Sequence, residues 1–358
     1  MKIPQSDILT TNRLGRIFKS TSATYKFFWF ISILQIHAKT NDIKINAWSL
    51  AIRMVANAWY PIHYFRLSFG KNDSLFGIVT ELQRITKIPI DAKRDVVIRE
   101  LEERLGDEQI KGQLNTLLIN VPYRFLSPWI TYVSDGDTIR RSQILQNGCL
   151  YSLHKEEDDF FIELNPAWND YLHNHYGILM DFAYWNLTLF LQVRNPNVPN
   201  IPNKLIKSET RNSLTNQHNY WDFVMNHGLQ VNCIYKDTLL AVGNYDLDHF
   251  IPWSFVSHDL IWNLIPADGS INSSKSDKLP MLSIYLPKLA LIQQKAIKVC
   301  LTHDYRGKKI LEDYLSLGYT PQELADMDVE HLNDCFMRTY SPMNQIALNM
   351  GFETWNYV

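Results

Sequence analysis

Apolar positions recur at helical spacing over most of the chain and shift to strand-like runs in only a few places. The run FFWFISILQI, residues 27–36, predicts a buried helix that Ser22 can cap and that runs through Tyr25 and Leu34 to His37. A second aromatic-rich helix fits Ala47 to Phe65, interrupted near Pro61, where a backbone donor is missing. In KRDVVIRELEERLG the apolar residues keep helical spacing, and Gly106 supplies a stop. Further helices fit Thr138 to Gln146, Trp168 to Gln192, Ser213 to Met225 and much of Leu286 to Val358.

The strand-like runs are short. CLYSLHKEEDDFFIELN, residues 149–165, predicts a hairpin whose turn carries Glu156, Glu157, Asp158 and Asp159. VNCIYKDTLLAV predicts a strand, with Lys236 and Asp237 at a turn, and Tyr245 to Phe250 a second one. SINSSKSDKL then predicts a short helix with Asp268 or Ser270 near its cap. The expected local order is strand, strand, long loop, helix. Between these regions NPNVPNIPNK, residues 195–204, places three prolines and four asparagines in ten positions, the composition of a linker or crossover. The expected organisation is a helical accessory domain over 1–130, a helix-hairpin-helix segment and linker over 131–203, a small α+β domain over 204–285 and C-terminal helices over 286–358. The fold class is mainly α with a small α+β unit.

Composition adds limits. At 358 residues, 46% hydrophobic and 20% charged, the chain has material for more than one core. The net charge of −2 does not mark a nucleic-acid binder as a whole, yet the charge is segregated. Residues 1–44 hold seven basic side chains against Asp7 and Asp42, and residues 288–309 hold six against Asp304. Such stretches can meet phosphates or simply form solvated helix faces. Cys149, Cys233, Cys300 and Cys335 lie far apart with no CxxC pair, which fits a reduced, cytoplasmic protein. The N-terminus has no apolar signal core, and FFWFISILQI is about half a membrane span, so no membrane association is expected.

Candidate chemistry concentrates in YDLDHFIPWSFVSHDLIWNLIPADGSINSSKSDKLP, residues 245–280. A histidine can serve as general base near neutral pH. The Asp248 carboxylate and the Asn272 amide oxygen suit a hard divalent ion such as Mg²⁺ or Mn²⁺. Asn272 and Lys275 are three apart and share a helix face, from which Lys275 could meet a phosphate.

This segment resembles the HNH, or ββα-metal, nuclease family, and in particular the HNH domain of RNA-guided CRISPR effector nucleases. The resemblance runs through Tyr245, Asp246, Asp248-His249, Pro252, Ser254-Phe255, Asp259, Asn263, Asn272, Lys275-Ser276-Asp277 and Pro280. It covers about a tenth of the chain and includes no guide-binding apparatus. It implies that His249 is the general base, that Asp248 and Asn272 bind the metal, and that Asn263 braces the loop orienting His249. It also implies DNA as substrate, with 3′-hydroxyl and 5′-phosphate ends as products. The sequence departs from many stand-alone relatives, which hold a structural zinc on two cysteine pairs. Only Cys233 stands in the corresponding stretch, so no structural zinc is expected, and Phe250, Trp253, Phe255 and Trp262 would support the fold instead.

The resulting expectation is a metal-dependent HNH endonuclease, acting in antiviral defence or restriction, with an N-terminal domain that meets DNA or a protein partner. The alternative is a catalytically silent module that reuses the fold to bind nucleic acid or protein. Lys275, Asp277 and Lys278 can also be read as a solvated helix surface, with a local salt bridge as a further reading for Asp277; His258 reads as a loop residue, and Trp253 and Trp262 as packing residues.

Overall fold

The computed structural model describes residues 2–40, 42–156, 159–206, 213–303 and 305–357. The chain divides into two units. One comprises residues 1–196 and 201–207, the other residues 197–200 and 208–358. The four segments expected from the sequence therefore become two, with the boundary near the proline- and asparagine-rich stretch.

The first unit is built on helix Tyr25–Thr40, whose Phe27, Trp29, Phe30, Ile33 and Leu34 are buried. Strand β1, Lys44–Asn46, leads into helix Ala47–His63, where the Asn46 side chain caps the first turn by accepting from Trp48 and Ser49 N–H. Pro61 does not end that helix, because it lies in the last turn, where little ladder remains to be lost. The expected hairpin forms as β2, Tyr151–Glu156, and β3, Asp159–Leu164, while its two turn residues 157 and 158 lie outside the described residues. β3 also pairs antiparallel with β1 in the order β1-β3-β2. This pairing of residues near 45 with residues near 162 puts segments 1–130 and 131–203 into one unit rather than two. Local periodicity could not show a ladder between residues more than a hundred positions apart. The helix expected over 168–192 is two, Pro166–Asn174 and Tyr176–Arg194, with a break at His175.

In the second unit helix Thr215–Asn226 precedes the small α+β element. Residues 231–242 do not form the expected strand. Asp237 takes a left-handed φ of 57°, and its N–H bonds back to Cys233 O, so the stretch folds into a tight turn with isolated bridges. The strand pair is instead β4, Asp246–His249, with β5, Leu264–Ala267, antiparallel and in register Asp248↔Ile265. Helix Gly269–Lys275 follows directly, capped by Asp268, which accepts from Ser270 and Ile271 N–H. The Ser270 hydroxyl and the Ile271 amide hold Asp268 below the usual carboxylate range. Its local order is therefore strand, loop, strand, helix.

The C-terminal helices belong to the same core. Helices Leu282–Thr302 and Val329–Asn349 contribute Leu286, Leu289, Phe336 and Tyr340 to a cluster with Phe250, Phe255, Trp262 and Ile265. Two-residue strands β6, Leu279–Pro280, and β7, Thr354–Trp355, pair in parallel and tie the end of the chain to the α+β element. The structure is thus mainly α with a small α+β region. No helix among the described residues is long and apolar enough to cross a membrane.

Candidate active site

Strand β4 ends at His249 and packs against helix Gly269–Lys275. Alternation along a strand puts Asp246 and Asp248 on one face and Leu247 on the other. The helix covers the aspartate face, so its Asn272 and Lys275, nearly one turn apart, meet different carboxylates. The Lys275 ammonium donates to Asp248 Oδ1 at 2.9 Å and to His249 O at 2.8 Å. The Asn272 amide lies 3.4 Å from Asp246 Oδ2.

Asp248 is enclosed, with 2% of its surface exposed. Its second oxygen accepts from the Tyr235 hydroxyl at 2.5 Å. Burial, followed by the nearby Asp248 charge, pushes the Tyr235 phenol well above its ordinary value, so it stays a donor. Lys275 is fully buried, and a buried cation of this kind is tolerated only when paired and hydrogen-bonded. The lysine expected at a phosphate therefore points into the fold and joins strand to helix.

His249 is only partly buried. Its Nε2 lies 2.8 Å from Asp259 Oδ1. Asp259 is in turn anchored through its carbonyl, which accepts from Gln217 Nε2 at 3.0 Å. A carboxylate on Nε2 favours the tautomer carrying its proton there and leaves the lone pair on Nδ1. Nδ1 has no hydrogen-bond partner among the described residues.

The loop between the strands is held by Asn263, itself buried. Its amide donates to Ile251 O and accepts from Ile251 N, both at 2.9 Å, while its backbone carbonyl accepts from Phe250 N. These three bonds clamp the two residues that follow His249. Further support comes from the C-terminal helices. Gln293 Nε2 lies within 3.3 Å of the carbonyls of Ile261, Trp262 and Leu264, Tyr314 donates to its Oε1, and Tyr340 donates to Trp262 O at 2.7 Å. Phe250, Phe255 and Trp262 are buried as expected, whereas Trp253 is only partly so. Cys233 is a free, buried thiol, as are the other three cysteines.

Asp248, His249 and Lys275 thus come together, and Asn263 braces the adjacent loop. Asn272 stands apart from Asp248 and beside Asp246. Both Asp248 oxygens are taken by protein donors, and the carboxylate is closed to solvent. The pair Asp248 and Asn272 therefore does not fit a shared divalent ion as arranged here, and no group of three or more His, Cys, Asp or Glu among the described residues is placed to hold one. Reading the sequence missed the parts played by Tyr235, Asp246 and Asp259. Asp246 and Asp259 lay within the motif, and the i, i+2 spacing of Asp246 and Asp248 was a signal that both share one face. Nothing local pointed from Tyr235 to Asp248.

Residues 232–281 match the family model described as HNH endonuclease. Comparison with curated proteins gives no match. Comparison with solved structures gives none either. HNH nucleases typically use a divalent metal, and a nuclease domain implies a nucleic-acid substrate. The strand, loop, strand and helix around His249 are an HNH endonuclease domain carried within a larger, mainly helical chain.

Proposed function

We propose that this chain is a divalent-metal-dependent endonuclease that hydrolyses DNA phosphodiester bonds, working with Mg²⁺ or Mn²⁺. The observation that carries this reading is the His249–Asp259 pair at 2.8 Å, formed between the end of β4 and the loop that follows it, within the residues of the HNH match. In the proposed reaction His249 Nδ1 takes a proton from the attacking water as its oxygen bonds to phosphorus. The bond to the 3′ oxygen breaks and that oxygen takes a proton from solvent water, leaving 3′-hydroxyl and 5′-phosphate ends. Asp259 holds the imidazole in the required tautomer and offsets the charge it gains. Asn263 keeps the chain after His249 in place. Lys275 and Asp248 act from within the fold, by fixing strand against helix. A role in antiviral defence or restriction belongs to the same reading, with the first unit meeting the DNA or an activating protein.

The test is nicking of supercoiled plasmid by the full chain with Mg²⁺ or Mn²⁺, alongside a chelator control and His249→Ala. Metal-dependent nicking that is lost in His249→Ala supports the reading. Binding of DNA without cleavage under every metal condition supports the silent binding module instead, and cleavage of RNA but not DNA changes the substrate class.

A further inference from the structure

The first unit carries a cleft of about 460 Å³, lined entirely by residues of the segment 2–19. That volume is in the range of ligand pockets. Three of the side chains lining it are cations, Lys2, Arg16 and Lys19, and Gln5, Thr11 and Asn12 add neutral polar groups.

One short stretch of sequence builds this cleft. Ile3, Leu14 and Ile17 are buried and anchor the segment to the core. The Tyr171 hydroxyl donates to Pro4 O at 2.7 Å, which fixes the stretch carrying Lys2 and Gln5. Burial pushes that phenol up to about 12, so it stays a donor. Helix Thr11–Leu14 runs on into tight turns, in which Arg16 N–H bonds to Arg13 O and Lys19 N–H to Arg16 O. Residues three apart in such turns lie side by side, so Arg16 and Lys19 stand together. Arg13 does not join them, since its guanidinium donates to Asn147 O at 3.2 Å.

The charge here is one-sided. Residues 2–19 hold four basic side chains against a single acid, Asp7, which does not line the cleft. Elsewhere in this unit exposed arginines meet an acid one turn away, as Arg84 meets Glu81 at 2.7 Å and Arg140 meets Asp137 at 2.8 Å. Lys2, Arg16 and Lys19 are exposed and form no ion pair among the described residues. Three such cations around one cavity repel one another and focus a positive potential into it, which a bound anion relieves.

The donor set suits phosphate. A guanidinium fork matches two phosphate oxygens, and ammonium groups and amides meet the others. No aromatic ring lines the cleft, so a free nucleotide finds no platform for its base. A backbone phosphodiester needs only cations and donors. We infer that this cleft binds the phosphodiester backbone of DNA through Lys2, Arg16 and Lys19, as a sequence-independent contact separate from the residues that cleave. The choice of DNA among polyanions rests on the nuclease reading.

The test is binding of the full chain to a fluorescent DNA duplex, followed by anisotropy across a salt series with a chelator present, so that nothing is cut. Wild type is expected to bind with an affinity that falls as salt rises. Lys2→Gln, Arg16→Gln and Lys19→Gln should each weaken binding and flatten the plot of log affinity against log salt by about 0.9, and the triple variant by about 2.7. Lys39→Gln removes an exposed charge of the same basic stretch outside the cleft and should leave the slope as in wild type. Circular dichroism and thermal melting check that every variant is folded. A folded triple variant with wild-type affinity and slope, an equal loss in Lys39→Gln, or no binding by wild type would each overturn the inference. ATP and polyglutamate serve as further probes: binding of either that the triple variant loses, while its DNA binding is kept, makes the cleft a site for a free nucleotide or an acidic peptide instead. Plasmid nicking measured in parallel, with and without His249→Ala, reports on the nuclease reading separately, because the binding measurement involves no cleavage.

Discussion

Lys275 and Asp248 form an ion pair at 2.9 Å in which neither side chain reaches solvent to any useful extent. The pair joins the last turn of helix Gly269–Lys275 to the end of β4, and the same ammonium reaches the carbonyl of His249. The residue expected to act as base is thereby positioned from behind by a salt bridge. A buried pair contributes little relative to well-packed apolar groups of the same volume, but losing one partner is expensive.

Lys275→Met should therefore destabilise the second unit by about 3–5 kcal/mol, because Asp248 is left charged and half-paired in the interior. Lys275→Met combined with Asp248→Asn should recover part of that loss. Urea denaturation of the single and double variants measures both. An unchanged midpoint in Lys275→Met would mean that the lysine is free to meet phosphate.

Asp259→Asn preserves shape while removing the carboxylate from His249 Nε2. A general base contributes about 10²–10⁴-fold to rate, and much of that depends on the imidazole holding the right tautomer. Nicking by Asp259→Asn should fall by about 10²-fold, with the urea midpoint nearly unmoved. A variant as active as wild type would remove Asp259 from the mechanism.

Gln293 ties the loop together by binding several of its carbonyls from one point. Gln293→Leu keeps the volume but leaves those buried acceptors without their donor, at about 1–3 kcal/mol for an unsatisfied group. Thermal melting should show the loss, and hydrogen exchange should localise the opening to residues 260–265.

His63 offers a pH test in the first unit. Burial lowers its pKa from 6.5 to about 4, and its ring meets Trp59 edge-on at 4.7 Å between centroids. The unfolded chain therefore binds this proton first as pH falls. The stabilising contribution is fully present above about pH 6.5, declines as pH falls through the window down to about 4, and changes no further below it. The loss across that window is about 3 kcal/mol. His63→Phe should flatten this part of the stability profile relative to wild type, as read by urea unfolding between pH 4 and 7.

What the sequence by itself determined was local and ordered along the chain. The spacing of Asp248-His249, Asn263, Asn272 and Lys275 marked the HNH segment, and helical periodicity located most helices, because both are properties of near neighbours. Asp268 as helix cap was legible for the same reason. Tertiary structure alone decided the rest. It made Leu264–Ala267, not residues 231–242, the partner of β4, since the turn at Asp237 folds the earlier stretch back on itself. It brought β1 to β3 across more than a hundred residues, and Gln293 and Tyr340 to a loop some thirty and eighty residues away. It also distinguished two aspartates that look alike in DLDH. Asp248 lies at the depth of Tyr235 and Lys275 and is neutralised in the interior, whereas Asp246, two residues earlier on the same face, emerges into solvent beside Asn272. Pleat alternation states which residues share a face, but only the packing of a helix across that face sets which carboxylate is buried with a lysine and which stays open to solvent.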